Sequence, residues 1–163
     1  MKQEHLFVAE LYRYLAPSAD ARRKVYLSLD GEAAKKGRRD GEFLDADVPD
    51  LWFTLLGDTE PVLLEAKIMN PDGTVTLGQG QLFAWRSEGN GKHKPTAWVT
   101  ADESFTEFGY WKHEDFLAAL DQCRARVKYP RVRAPSSPAR LVFRDIRLLV
   151  LRILRDTGTR NVP

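Results

Sequence analysis

Asp50, Glu65 and Lys67 place two carboxylates and an ammonium within eighteen positions of the chain. Two carboxylates at sheet-neighbour distance can hold a hard divalent cation such as Mg²⁺, with waters and substrate oxygens filling the remaining positions. Such an ion polarises a phosphate and lowers the pKa of a bound water. An amine beside it can orient that water or offset negative charge that grows in the transition state. An acid, a second acid and a lysine therefore have three separate tasks in phosphodiester hydrolysis.

The segments that carry them have the pattern needed to bring them together. Asp47 to Leu56 alternates apolar with other residues, Gly57-Asp58-Thr59-Glu60 is a turn cluster, and Pro61 to Met69 alternates again. This predicts two antiparallel strands. With the turn centred between Asp58 and Thr59, Asp50 stands opposite Lys67 and Trp52 opposite Glu65. Alternate residues face the same way, so Asp50, Glu65 and Lys67 share one face. Leu51, Phe53, Leu55, Val62, Leu64, Ala66 and Ile68 form the other, and all are apolar. A slip of one residue would mix the two sets, so the hydrophobic pattern supports the pairing.

Around this hairpin the chain predicts a mixed α/β fold, a central sheet flanked by helices. Leu6, Phe7, Leu11, Tyr12 and Leu15 recur at helical spacing from Glu4 to Leu15, and Pro17 ends that helix. Val25 to Leu29 reads as a short strand, and Gly31 to Gly41 as a polar loop containing Lys35, Lys36, Arg38 and Arg39. Val75 to Arg86 reads as a helix, Pro95 to Ala101 as a strand and Glu114 to Val127 as a helix. Tyr129 to Ala139 reads as a connector, so the single domain expected over 1–163 carries a C-terminal extension from about 129. Leu141 to Leu154 reads as a helix, with Ser137 and Pro138 as its start and Gly158 as its stop, although its Val and Ile content also suits a strand.

Composition sets the outer limits. At 163 residues the chain fits one domain. Being 43% hydrophobic, with four Trp and eight Phe, it has the apolar area to offset chain entropy, which argues against disorder. A formal net charge of +2 does not by itself point to nucleic acid; local clustering decides that. A single cysteine, Cys123, excludes an intrachain disulfide and a cysteine-based zinc cluster. A reducing, cytoplasmic setting is expected. No apolar run approaches a membrane span, and the start does not lead into a signal-peptide core.

Pro49-Asp50, fourteen intervening residues and then Glu65-Ala66-Lys67 resemble the signature of the PD-(D/E)XK nuclease superfamily. The resemblance implies a restriction-endonuclease-like fold. It implies that Asp50 and Glu65 bind Mg²⁺ or Mn²⁺, that the Ala66 carbonyl joins them and that Lys67 assists catalysis. The preceding helix in that family often supplies another acid; Glu10 is the expected match, with Glu4 second. Gln81-Leu82-Phe83-Ala84-Trp85 resembles the Gln-x-x-x-Tyr motif of the RecB-like and Cas4-like branch, although Trp85 replaces the usual Tyr. There it implies Gln81 near the site and the aromatic near substrate. The resemblance covers about Glu4 to Ala101.

Each residue also has a plainer reading. Asp50, Glu65 and Lys67 could be the solvated face of an edge strand, and Glu10 a solvated helix residue. Gln81 could cap a helix, and Trp52 and Trp85 could simply pack. Lys35, Lys36, Arg38 and Arg39 could be solubility charges instead of phosphate contacts. The leading expectation is a Mg²⁺-dependent deoxyribonuclease with DNA as partner. A nucleic-acid-binding protein of the same fold without catalysis and a structural or interaction protein are the alternatives. Cutting both strands of a duplex would take a homodimer, and the chain could equally be the nuclease part of a larger complex.

Overall fold

Leu51 and Phe53 on one strand and Val62, Leu64 and Ala66 on the next are each at most 2% exposed, so the apolar face expected from the alternation is buried. The structure, a computed structural model, describes residues 2–17, 19–23, 49–55, 61–89, 93–136 and 138–160. In chain order its elements are α1 (Lys2–Leu15), β1 (Ala19–Arg23), β2 (Leu51–Leu55), β3 (Val62–Ile68), β4 (Thr74–Thr76) and α2 (Gln79–Trp85). Then come β5 (Ala97–Ala101), β6 (Phe108–Lys112), α3 (His113–Gln122), β7 (Arg131–Arg133), β8 (Leu141–Phe143) and α4 (Ile146–Arg160).

The fold is mixed α/β. Six strands form one sheet in the order β1-β2-β3-β5-β6-β8, and β4 pairs with β7 in a separate ribbon. Among the described residues, only the β3–β5 pairing in the large sheet is parallel; the others are antiparallel. Parallel neighbours need a long crossover, and the chain supplies one through β4 and α2.

The sheet has a core on each face. Ala66 pairs with Val99, and Val99 with Tyr110, so these side chains share one face. They pack with Phe7, Val8, Leu11 and Leu15 of α1 and with Leu149, Val150 and Ile153 of α4. Glu65 pairs with Trp98, and Trp98 with Trp111, on the opposite face. There Trp98 and Trp111 pack with Leu82 and Trp85 of α2, Phe116 and Leu120 of α3, and Val75 and Val132 of the ribbon. Trp98 stacks on Phe116 at 4.3 Å between ring centres and meets Trp85 edge-on at 5.7 Å. Its indole N–H donates to His113 Nδ1 at 3.0 Å, while His113 Nε2 lies 3.1 Å from the Trp85 carbonyl. One imidazole thereby ties the start of α3 to both β5 and the end of α2. Burial holds its pKa below the usual histidine value, which suits the neutral form that can accept from Trp98.

Several elements differ from their sequence patterns. Val75 to Arg86 is split: Thr74–Thr76 joins the ribbon, and the helix starts only after Gly78, whose N–H donates to Gln81 Oε1 at 3.0 Å. Helix α3 ends at Gln122, short of Val127. Helix α4 begins at Ile146 instead of beside Pro138, because Leu141–Phe143 pairs with β6. Asp145 starts it: Oδ1 accepts the Arg147 N–H at 2.8 Å, and the Asp145 carbonyl accepts Leu149 N–H at 3.2 Å. The helix continues through Gly158 instead of stopping there. The region after 129 is joined to the rest, with β7 on β4, β8 on β6 and α4 in the first core. The expected strand Val25 to Leu29 and the turn Gly57 to Glu60 lie outside the described residues. Among those described, no helix is long and apolar enough to cross a membrane.

Gly109 shows how tightly the second face is packed. It lies opposite Thr100, and a Cβ there would sit 2.7 Å from Thr100 Oγ1 and 2.7 Å from the Trp111 ring. Alanine normally improves a strand by roughly 0.5–1 kcal/mol over glycine. Here overpacking of about 1–3 kcal/mol outweighs that gain. Gly109→Ala should lower the midpoint of denaturant unfolding; an unchanged or higher midpoint would show that the second core yields freely.

Candidate active site

The β2–β3 register pairs Leu51 with Leu64 and Phe53 with Val62, two residues away from the register centred between Asp58 and Thr59. A two-residue shift leaves every side chain on its original face. It does move Asp50, which lies beside Ala66 instead of opposite Lys67. Asp50 Oδ2 accepts the Ala66 N–H at 2.9 Å. Beyond Leu64, β3 is no longer paired to β2, and the Asp50 carboxylate takes over one ladder bond there. The N–H and C=O of one strand residue point to the same edge, so the Ala66 carbonyl shares the edge with Asp50.

Glu65 and Lys67, two apart on β3, share the second face and are 0% and 5% exposed. Asp50 is 3% exposed. Lys67 Nζ lies 3.7 Å from Glu65 Oε2, 3.8 Å from Glu4 Oε1 and 3.3 Å from Gln81 Oε1. Three segments thus converge on one ammonium: β3 itself, the first turn of α1 and the first turn of α2. The Gln81 oxygen that meets Lys67 also accepts the Gly78 N–H at the helix start, so one side chain both caps α2 and reaches β3. Burial works against the charge on Lys67, but the carboxylates of Glu65, Glu4 and Asp50 outweigh it and raise its pKa above 10.5. The cluster's stabilisation is therefore fully present below that value and is lost as pH rises past the folded-state pKa.

The helix acid at the site is Glu4, not Glu10. Glu10 is exposed and lies 3.7 Å from Arg13 on its own helix. The two acids are six positions apart, which puts them on different sides of the helix as well as on different turns. His5, absent from the expected set, is 4% exposed; burial lowers its pKa and the Asp50 charge opposes that shift. Its position next to Glu4 was the available signal. Trp85 is 0% exposed in the second core, so it packs and does not present a face to substrate. Lys35, Lys36, Arg38 and Arg39 lie outside the described residues.

Among the described residues no three or more His, Cys, Asp or Glu side chains are grouped so as to hold a metal ion. The donors available for a cation are the two carboxylates and the Ala66 carbonyl. All are hard oxygen ligands, and Mg²⁺ commonly takes one or two carboxylates while keeping waters. Charge points the same way. With its acids ionised, the cluster of Asp50, Glu65, Glu4 and Lys67 sets three carboxylates against one ammonium. That is an excess of two negative charges in a site with little water, a costly arrangement that a divalent cation would balance.

The assignment of Glu4 has a direct spectroscopic consequence. Glu4→Gln removes a carboxylate from beside Lys67 Nζ, so the NMR titration midpoint of Lys67 should fall, whereas Glu10→Gln should leave it in place. Equal effects from the two variants would contradict this geometry. The chain matches no model of a known protein family, no curated protein and no solved structure.

Proposed function

We propose that the chain is a metal-dependent nuclease of the restriction-endonuclease-like fold that hydrolyses DNA phosphodiester bonds. The observation that carries this reading is the convergence of Asp50, Glu65 and Lys67 at one buried strand end. Element order supports it: a helix, three antiparallel strands, a crossover helix and a strand parallel to β3. The Gln81–Lys67 contact supports the likeness to the RecB-like branch, and the buried Trp85 gives it no support.

Asp50 and Glu65 would hold Mg²⁺ or Mn²⁺ together with the Ala66 carbonyl. When bound, that ion supplies a polarised phosphate and a water of lowered pKa. The chain's own part is positioning. The Ala66 N–H fixes the Asp50 carboxylate. Gln81, itself held by Gly78, fixes the Lys67 ammonium on one side while Glu65 and Glu4 hold it charged. A charged donor so constrained can stabilise negative charge that develops on phosphate oxygens, at little reorganisation cost. An interaction made only in the transition state accelerates the step without tightening substrate binding.

A second reading is favoured by the short Lys67–Glu65 and Lys67–Glu4 distances: Lys67 neutralises buried acids in the metal-free protein and has no part in the chemistry. Variants separate the two. Asp50→Ala should abolish Mg²⁺-dependent cleavage of DNA, and full activity in it would sink the proposal. Lys67→Met should bind metal and DNA but cut about 10²–10³-fold more slowly in single turnover. A near-normal rate with altered metal affinity would assign Lys67 to neutralisation alone.

A further inference from the structure

Helix α2 has a second functional side. Gln81 points at Lys67, and Phe83, two positions on, is turned by about 200° around the helix. Gln79, Phe83 and Arg86 form one stripe at i, i+4 and i+7. With Arg124 and Arg126, which follow α3, this stripe lines a cleft of about 300 Å³. The Arg86 guanidinium sits 4.8 Å from the centre of the Phe83 ring, and Phe83 remains 37% exposed, although most aromatic side chains of this half of the protein are buried.

The cleft is lined by three arginines; the Asp121 carboxylate acts on Arg86 and Arg124 and leaves Arg126 the least engaged among the described residues. Arg124 and Arg126 are exposed, and neither makes an ion pair among the described residues. Two acids lie nearby. Glu88, 84% exposed, is 3.8 Å from the half-buried Arg86, and a pair open to water on the acid's side is worth little. Asp121 is engaged by the Ser87 backbone N–H at 2.9 Å and the Ser87 hydroxyl at 2.5 Å. An aromatic ring, a guanidinium stacked on it and two further arginines are the components of a site for a nucleic-acid strand. Arginine takes phosphate oxygens as a bidentate donor. Aromatic and guanidinium planes stack on bases, and stacking needs a base that is not paired in a duplex.

We infer that this cleft binds an unpaired nucleic-acid strand, with backbone phosphates on Arg124 and Arg126 and a base against Phe83 and Arg86. The inference rests on the nuclease reading and narrows its substrate to single-stranded or frayed ends. Gln81 of the same short helix contacts Lys67, so the cleft and the candidate site share α2 as a common wall.

The test is fluorescence anisotropy of a labelled oligothymidylate and of a blunt duplex on the full chain with EDTA present, so that binding is read without cleavage. Phe83→Ala should weaken single-strand binding by roughly 5- to 150-fold, the loss of one stacked base. Duplex binding should change less than twofold. Arg124→Ala with Arg126→Ala should reduce the salt slope for the single strand by up to about 0.7 per lost phosphate contact, and lysine at both positions should restore most of it. Variants that bind the single strand like wild type, an equal loss on duplex, or a wild-type chain that binds no single strand would each overturn the cleft. The nuclease reading fails separately: cleft variants with weakened binding in a protein that never cuts with Mg²⁺ would leave the cleft standing and remove the cleavage. Metal-dependent cutting unaffected by the cleft variants would do the reverse.

Discussion

Lys67 Nζ stands 3.7 Å from Glu65, two residues away on the same strand, and 3.8 Å from Glu4 on another element. Glu65 is fully buried and Lys67 nearly so. Neither charge could be kept there alone, because removing an ion from water costs several kcal/mol that only a well-placed opposite charge can offset. The pleat sets the Glu65–Lys67 pair by making alternate residues neighbours on one face. Everything beyond that pair has to be brought by tertiary structure. Helix α1 contributes Glu4, α2 contributes Gln81, and the shortened pairing of β2 leaves room for Asp50 to cap the Ala66 N–H.

The two faces of the sheet divide the work. The face toward α1 and α4 is an ordinary apolar core. The other face changes character from strand to strand, from the aromatic cluster of Trp98, Trp111 and Phe116 on β5, β6 and α3 to the charged pair Glu65 and Lys67 on β3. The polar atoms of the aromatic cluster are satisfied internally: Trp98 through His113, and Trp111 through the Pro135 carbonyl. Helix α2 links the polar end to the surface, with Gln81 on one side and the arginine-lined cleft on the other.

The two strands were legible in the sequence because one face is apolar and the other carries charge. Their register was not, since a slip of two keeps Leu51, Phe53, Val62 and Leu64 on the same face and hydrophobicity cannot tell the two pairings apart. The choice between Glu4 and Glu10 depends on where α1 crosses the sheet end, which no periodicity within the helix encodes. Strand β6 gives no alternating signal because Phe108 to Trp111 is buried on both faces. Strands β7 and β8 are three residues each and owe their form to β4 and β6. Trp85 illustrates the converse: a motif suggested contact with substrate, while the plainer reading, an aromatic that packs, is the one the second core displays. The mixed α/β class followed from the order of patterns, and the restriction-endonuclease-like assignment remains a proposal carried by the site.

The central claim is that the excess negative charge around Lys67 is a cation site. It is tested most directly by calorimetric titration of Mn²⁺ into the nucleic-acid-free protein, alongside Asp50→Asn and Glu65→Gln, with thermal unfolding followed at each metal concentration. A site of this kind should bind one Mn²⁺ per chain and stabilise the fold by about 2.7 kcal/mol at a hundredfold excess over Kd. Both effects should vanish in each variant. Absence of binding in the wild-type chain, or binding that survives the loss of both carboxylates, would contradict the account.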